Sequence, residues 1–145
     1  MKKQNYSNHV RYYIPHHFIF YPLGLALLIV GISRIYKDPE HSWQWTIVTA
    51  AIAMMIWLSF MMRQHYALTC QNRIVRLELR FRYFSLTGQR LEPLEEKLSF
   101  GQLAALRFAS DEELPALVKR AMAEGLKPDE IKKAVKHWLP DTMRV

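Results

Sequence analysis

The sequence lacks charge over two long stretches and contains almost no cysteine. Residues 12–33 and 42–62 contain no Asp, Glu, Lys or Arg, although charged residues make up 23% of the 145-residue chain. Cys70 is the single cysteine, which excludes an internal disulfide and fits a reducing compartment. The G-x-S-x-G, P-loop, H-E-x-x-H and C-x-x-C motifs are also missing, so the sequence indicates architecture and location more than chemistry.

Both uncharged stretches are long enough to cross a bilayer as helices. At about 1.5 Å per residue each reaches roughly 30 Å, the thickness of the hydrocarbon core. The alternative is a pair of buried core helices, but the residues after Met62 are too few to enclose both. The linker "RIYKDPEHS" is short and contains Pro39, which suits a turn. We therefore predict a transmembrane hairpin within residues 1–62, with spans at about 13–34 and 43–63.

Aromatic and small residues are placed as expected for a membrane hairpin. Rings with a polar edge stand near the ends of both stretches, at Tyr12, Tyr13, Tyr21, Tyr36, Trp43, Trp45 and Tyr66. Small residues allow two helices to approach closely in lipid. We predict such close packing at Gly24 and Gly31 in the first span and at Thr46, Ala50 and Ala53 in the second.

The distribution of Lys and Arg predicts the orientation of the hairpin. The N-terminal tail carries Lys2, Lys3 and Arg11, and the stretch after the second span carries Arg63, Arg73, Arg76, Arg80 and Arg82. The connecting loop has only Arg34 and Lys37, next to Asp38 and Glu40. The positive-inside rule then places both termini in the cytoplasm. We expect a multi-pass protein of the bacterial inner membrane.

The stretch "RIVRLELRFRYF" at residues 73–84 fits two kinds of structure. Its apolar and charged residues alternate, as in a half-buried strand. It also carries the four-three spacing of a helix with an apolar packing seam, at Cys70, Ile74, Leu77, Phe81 and Phe84. Because no second strand follows to pair with it, we favour one helix from the membrane to about Leu86, within a juxtamembrane segment of residues 63–98.

The strand alternative implies a different function. The segment "YALTCQNRIV" after two spans resembles the opening of bacterial pleckstrin-homology-like domains that are anchored by a membrane hairpin. The resemblance covers only this short segment. It implies a membrane-anchored sensor of lipid or of another ligand, with a pleckstrin-like cytoplasmic domain.

The last third of the chain contains many signals for the start and end of helices. Ser99 and Ser110 each stand three residues before Gln or Glu, the spacing of a capping box. Gly125 suits a left-handed helix end, Pro128 a first helical position and Pro140 a stop. We predict three short amphipathic helices, at about 100–109, 111–124 and 128–138, in a cytoplasmic tail of residues 99–145.

Both ends of the chain resemble one protein family. The segments are "KKQNYSNHVRYY" at the start and "LSFGQLAALRFASDEELPALVKRAMAEGLKPDEIKKAVKHWLPDTMRV" at the end. They resemble a bacterial domain-of-unknown-function family of small membrane proteins, and the resemblance spans essentially the whole chain. It implies an N-terminal two-helix hairpin and a helical cytoplasmic tail, and it brings no activity or catalytic residue. We thus predict an all-α integral membrane protein whose second transmembrane helix extends into the cytoplasm.

Candidate chemical sites are few. His16 and His17, with His9 nearby in sequence, are possible metal ligands. Adjacent helical residues point about 100° apart, however, and no Cys or carboxylate cluster accompanies them, so we interpret them as interfacial anchors. The acidic pairs in "SDEE" and "LEEK" lie at helix starts, where capping explains them. We expect no metal, no cofactor and no enzymatic activity.

The residues beside the apolar seam and the net charge of the chain indicate which binding partners to expect. Arg73, Arg76 and Arg80 form a stripe next to the seam, which is either a solvated flank of the packed seam or a candidate contact surface for anionic lipid. The formal net charge of +7 is mixed with acids along the chain, so nucleic acid is not an expected partner. We expect a non-enzymatic inner-membrane protein that acts by self-association or by docking another membrane protein. The seam at residues 70–84 is the predicted dimer interface.

Overall fold

Two units make up the structure, a computed structural model that describes residues 4–10 and 12–141. Residues 12–69 form a helical hairpin, while residues 4–10 join residues 70–141 in a small helical domain. Within the described residues every named element is helical, and the one β-bridge joins Ala109 to Trp138. The all-α prediction is therefore confirmed. The strand interpretation of residues 73–84 is wrong, and so is the pleckstrin-like fold that depended on it.

The hairpin contains two main helices. Helix α1 (Tyr21–Lys37) follows a π-helical turn at Pro15–Phe20, and helix α2 (Ser42–Met61) follows a short 3-10 turn at Pro39–His41. The helical runs Pro15–Lys37 and Pro39–Thr87 are both long and apolar enough to cross a membrane, judged by length and composition. The predicted spans at about 13–34 and 43–63 correspond to parts of these runs.

Glycines set the close approach of α1 and α2. A Cβ added at Gly24 would lie 3.0 Å from Ile56 Cδ1, and one at Gly31 would lie 3.3 Å from Thr49 Cβ. Two of the predicted small residues, Gly24 and Gly31, are thus buried in the hairpin. The predicted stripe on the second helix is wrong, because Thr46, Ala50 and Ala53 are exposed.

Contacts in the connecting loop explain why α2 packs on α1 through a face other than the predicted small-residue stripe. The Trp45 indole N–H donates to Asp38 at 3.3 Å, and the Arg34 guanidinium lies over the Trp45 ring at 5.8 Å. Trp45 is therefore turned towards the loop and α1. Thr49 and Ile56 follow at helical spacing on the same side of α2. Ala50 is turned about 100° away from Thr49, and Ala53, at the edge of the packed side, is exposed.

The second helix continues well beyond the apolar stretch. A π-helical turn at Met62–Ala67 leads into helix α3 (Leu68–Thr87), so residues 39–87 form one helical run. The run ends at Gly88, which has φ +67° and donates its N–H to the Phe84 carbonyl at 2.8 Å. The predicted extension of the helix to about Leu86 is confirmed.

Four short helices follow and enclose the core of the domain. They are α4 (Glu92–Glu95), α5 (Phe100–Leu106), α6 (Leu114–Glu124) and α7 (Pro128–Ala134). The fully buried side chains include Leu103, Leu106, Leu114, Val118 and Ile131. The last three helices match the predicted ones in number and order, while α4 was not predicted.

Helix starts follow the capping signals only in part. The Ser99 capping box is present, because Ser99 Oγ accepts from the Gln102 N–H and the Gln102 side chain accepts from the Ser99 N–H. The predicted start at Ser110 is wrong, since α6 begins at Leu114. Pro115 has no N–H, so it fits the first turn of a helix that begins at Leu114 and would break one that began at residue 111.

Helix α7 ends four residues earlier than the predicted residue 138. Val135 leaves the helix in an extended conformation, with φ −67° and ψ 119°. The following residues pair with another part of the chain: Trp138 forms the bridge to Ala109, and the Leu139 N–H donates to the Phe108 carbonyl at 2.8 Å. Tertiary hydrogen bonds therefore outweigh the local preference for helix.

Candidate interaction surface

Helix α3 carries two apolar faces, and the domain covers one of them. Val75, Leu79 and Tyr83 are buried, with Leu79 and Tyr83 only 1% exposed. Leu79 and Tyr83 belong to the core that includes Leu91 and Leu103. Spaced four residues apart, these side chains form a stripe that attaches α3 to the short helices. We did not predict this buried face from the sequence.

The apolar seam predicted from the sequence lies on the opposite face of α3. Leu77 and Phe81 expose 67% and 70% of their surface, and Ile74 and Phe84 are also more than half exposed. Cys70 continues this line and is exposed as a free cysteine. At 100° per residue, the mean direction of the seam points away from Val75, Leu79 and Tyr83. We call Cys70, Ile74, Leu77, Phe81 and Phe84 the outer seam; its role as a dimer interface remains a prediction.

Two arginines beside the buried face bind one carboxylate. Arg76 Nη1 and Arg80 Nε donate to the two carboxylate oxygens of Glu95, the latter at 2.6 Å. Glu95 is 6% exposed. Burial alone would raise the pKa of this carboxyl group, but the hydrogen bonds from Arg80 and Arg76 outweigh it and hold the pKa below its usual range. These charge-assisted hydrogen bonds from Arg76 and Arg80 to Glu95 join α3 to α4.

Arg82 forms a second attachment between α3 and the domain. Its guanidinium donates to Asp111 Oδ1 at 2.7 Å and to the backbone carbonyls of Arg107 and Ala109 at 3.0 and 2.8 Å. These carbonyls follow the end of α5, where a helix leaves acceptors unsatisfied. Arg82 therefore stabilises the turn between α5 and α6, a role that the sequence did not reveal.

Charged residues also stand on both sides of the outer seam. Arg73 and Glu78 are exposed. Among the described residues neither has a hydrogen-bond or ion-pair partner within one copy of the chain. Arg76 and Arg80 have the Glu95 contact, whereas the part of the chain that the structure describes offers Arg73 of the predicted lipid-contacting stripe no such carboxylate. The lipid contact of Arg73, Arg76 and Arg80 remains a prediction.

The N-terminal segment packs on the end of the same domain. The His9 ring lies 5.8 Å from the Trp138 ring and 5.9 Å from the Phe108 ring, and Phe108 and Trp138 are 4.8 Å apart. The Asp141 N–H donates to Gln4 Oε1 at 2.7 Å. Residues near both ends of the chain are therefore held together. The sequence contains no local signal for this contact, because Gln4 and Asp141, for example, are 137 residues apart.

The remaining candidate residues have local structural contacts. His17 Nδ1 lies 3.1 Å from the Tyr13 carbonyl oxygen, and the His16 ring stacks on Phe20 with centroids 6.0 Å apart. Glu113 of the "SDEE" segment accepts from the backbone N–H groups of Lys136 and His137, both at 3.2 Å. Within residues 4–10 and 12–141, no group of three His, Cys, Asp or Glu side chains is placed to hold a metal ion.

From the sequence we interpreted Glu95 of the "LEEK" segment only as a helix-capping group. Its contacts with Arg76 and Arg80 make it the most important structural residue that this interpretation missed. A signal for it was present: Arg76 and Arg80 are four residues apart beside Val75 and Leu79, and a carboxylate pair follows within twenty residues. Two guanidinium groups at the border of an apolar stripe that becomes buried favour a nearby carboxylate acceptor.

Comparison with known proteins identifies a family. The model of DUF6526, a family of unknown function, matches residues 1–145, so the chain belongs to this family. The resemblance to a domain-of-unknown-function family that we inferred from both ends of the chain is thereby confirmed. No curated protein and no solved structure matches the chain.

Proposed function

We propose that this member of the DUF6526 family is a two-span membrane protein without catalytic activity, and that it acts by association through the outer seam of α3. The observation that carries the proposal is the exposed apolar stripe on a helix whose opposite face is already packed. A line of apolar side chains, four of them more than half exposed in a single copy, supports a contact surface here.

The exposed surface of the hairpin supports the membrane location. Large apolar side chains of α1 and α2 point outward, among them Leu25 at 59%, Ile29 at 60% and Trp57 at 66% exposed. Neither helix has an acidic or basic residue in its central part. In water such a surface would drive aggregation, whereas in a bilayer it is solvated by lipid chains.

The contact between the chain ends supports the proposed topology. His9 and Trp138 belong to the same unit, which supports a topology with the N-terminal segment and the short helices on one side of the membrane. This requires an even number of crossings, in agreement with two spans. The excess of arginine after the second span indicates that this side is the cytoplasm of a bacterial cell. Lys2, Lys3 and Arg11, which belong to the same argument, lie outside the described residues.

The contacts of the acidic side chains support a role other than catalysis. Glu95 accepts hydrogen bonds from two arginines, Asp111 binds Arg82, and Glu113 accepts from the backbone after α7. A general acid or base needs a carboxyl group held in a shielded pocket beside a substrate. These three carboxylates instead hold helices together.

Association through the seam can be tested in membranes. The full-length chain is expressed in a bacterium, extracted in mild detergent and separated on a native gel. Leu77→Asp places a charge in the seam, so we expect it to shift the protein to a smaller complex. Leu86→Asp is the matched control, since Leu86 is also exposed on α3 but lies on another side of the helix. Equal complex sizes for Leu77→Asp, Leu86→Asp and wild type would contradict the proposal.

A further inference from the structure

We propose that the outer seam is occupied by a second copy of this chain, in a parallel and in-register pair of α3 helices. This inference rests on the proposed function, because it identifies the partner for the same surface. It is carried by the placement of α3 residues in the heptad repeat, by the charges beside the seam, and by the common orientation of two copies in one membrane.

The heptad positions divide α3 between the domain and the partner. Ile74 and Phe81 occupy a positions, while Cys70, Leu77 and Phe84 occupy d positions, the two positions that meet in a coiled coil. The buried residues Val75, Leu79 and Tyr83 fall at b, f and c, which face away from a coiled-coil partner. The domain therefore packs on the outer side of α3 and leaves the whole contact side open.

The flanking charges complement a second copy. Arg73 occupies a g position and Glu78 the e position five residues later. In a parallel pair, a g residue faces the e residue of the next heptad on the other helix. Arg73 therefore meets Glu78 of the second copy, and symmetry repeats the pair on the other side of the seam. Within one copy both side chains lack an ion-pair partner among the described residues.

The next heptad places no like charges opposite each other across the two helices. Arg80 occupies the following g position and faces Ser85 of the second copy, a neutral residue. Arg80 also pairs with Glu95 of its own chain, a carboxylate that it shares with Arg76. Like charges across the seam would destabilise pairing. The pattern of one opposite-charge contact and one neutral contact thus favours the parallel, in-register arrangement.

Membrane insertion, and the packing of α3 on its own domain, lower the free-energy cost of pairing two such short helices. Two copies inserted in the same membrane have the same orientation, so their α3 helices leave it in the same direction. A coiled coil of two heptads is marginal when its helices must first form. Here α3 is already held as a helix by Leu79 and Tyr83 in the core, and the membrane raises the effective concentration of the second copy.

The single cysteine tests this geometry without a new reactive group. Cys70 occupies a d position, so a parallel pair places the two Cys70 side chains face to face. Mild oxidation of membranes that contain the full-length chain should convert most of it to a disulfide dimer, and Leu77→Asp should reduce this fraction about fivefold or more. In an antiparallel pair centred on Leu77 the two cysteines would lie about 21 Å apart, beyond the reach of a disulfide.

Two relocated cysteines provide matched controls. Cys70→Ser with Thr69→Cys moves the thiol by one residue to an exposed position off the seam, and it should lose most of the cross-linking. Cys70→Ser with Leu77→Cys moves the thiol to the next d position; the shorter side chain weakens the seam, but the two thiols still face each other, so cross-linking should exceed that of the position-69 variant. Equal cross-linking at positions 69, 70 and 77 would indicate random collision and would overturn the inference.

Charge reversal tests the identity of the partner. Arg73→Glu and Glu78→Arg each place like charges across the seam and should weaken dimerisation on the order of fivefold. The double variant exchanges the two charges and should restore the wild-type level, because the carboxylate introduced at position 73 would then meet the guanidinium introduced at position 78 of the other copy. Failure of the double variant to recover would contradict the parallel pair.

The outcomes separate this inference from the proposed function. If Leu77→Asp reduces the size of the native complex but Cys70 never cross-links, the seam binds something other than a parallel second copy, and only the inference fails. If neither the complex size nor the cross-linking responds to Leu77→Asp, both fail.

Discussion

The hairpin and the helical domain place similar apolar side chains in opposite ways. In the hairpin Leu25 and Trp57 point outward, whereas in the domain Leu103 and Val118 are completely buried. This contrast is explained if the two units are surrounded by different solvents, lipid for the first and water for the second. Helix α3 combines both arrangements, because one of its faces is part of a core and the other is exposed.

The exposed face of α3 differs from the surface of the hairpin in its borders. Arg73 and Glu78 lie beside Ile74 and Leu77, whereas the central part of α2 has no charged residue. An apolar stripe bordered by charges is typical of a contact between proteins in water rather than of contact with lipid chains. Matched variants on the two faces of α3, and in the two units of the chain, therefore test this comparison.

The largest expected effect comes from introducing a carboxylate on the buried face of α3 rather than on the outer seam. Leu79→Asp buries an unpaired carboxylate in the core and should destabilise the domain by at least about 4 kcal/mol. Leu77→Asp makes the same change two residues earlier, on the exposed face, and should leave the fold intact. Circular dichroism during thermal unfolding of the full-length protein measures both. Similar loss of helix in the two variants would contradict the assignment of the two faces.

A smaller effect is expected from enlarging a glycine in the hairpin. Gly31→Leu would meet Thr49 on α2, so we expect overpacking to cost about 2 kcal/mol. Ala50→Leu is the control, because Ala50 is exposed on the same helix as Thr49. Titration with a denaturing detergent, followed by circular dichroism, measures the difference. A larger loss for Ala50→Leu would show that α2 presents the face predicted from the sequence.

Removal of the charge on Glu95 should weaken the attachment of α3 to the domain. Glu95→Gln leaves Arg76 and Arg80 without their carboxylate and should cost about 2 kcal/mol at neutral pH. Glu96→Gln, at the exposed neighbouring position, should change little. The unfolding temperature of the full-length protein in detergent measures both changes.

The same carboxylate predicts a dependence on pH. Because the pKa of Glu95 is lowered in the folded protein, its contribution to stability is fully present above the usual glutamate pKa. It is lost as the pH falls through the lowered value. The stability advantage of wild type over Glu95→Gln should therefore shrink in acid. An advantage that stays constant down to the lowest pH at which the protein folds would exclude this role.

The smallest expected effect concerns the N-terminal segment. His9→Ala removes the ring that contacts Trp138 and Phe108 and should cost about 1 kcal/mol. Its consequence should be local, with faster proteolytic cleavage of residues 4–10 while the short helices remain protected. Val10→Ala is the control, since Val10 is 58% exposed. Equal cleavage rates for the two variants would show that the aromatic contact does not hold the segment.

The sequence predicted the features that depend on local pattern. The apolar stretches, the continuous helix through residues 73–84 and the Ser99 capping box follow from hydropathy, from the absence of Gly and Pro, and from side chains three residues apart. The second apolar stripe of α3, at Val75, Leu79 and Tyr83, was not predicted, because the heptad pattern identified the seam without showing which face the domain covers. That choice depends on Glu95, which binds Arg76 and Arg80 from the following segment.

Features that depend on distant contacts were missed or misplaced. Helix α7 ends at Ala134 because Trp138 and Leu139 pair with residues near the end of α5. The contact of His9 with Trp138 joins opposite ends of the chain. In α2, the loop contacts of Trp45 select the face that packs, and the spacing of small residues alone indicated another one.

The central claim is that the outer seam of α3 holds two copies of a membrane-inserted chain together. The most direct test is the number of copies per particle when the full-length protein is extracted with its surrounding lipid into nanodiscs and its mass is measured. We expect two copies for wild type and Leu86→Asp and one copy for Leu77→Asp. The same copy number in all three would contradict it.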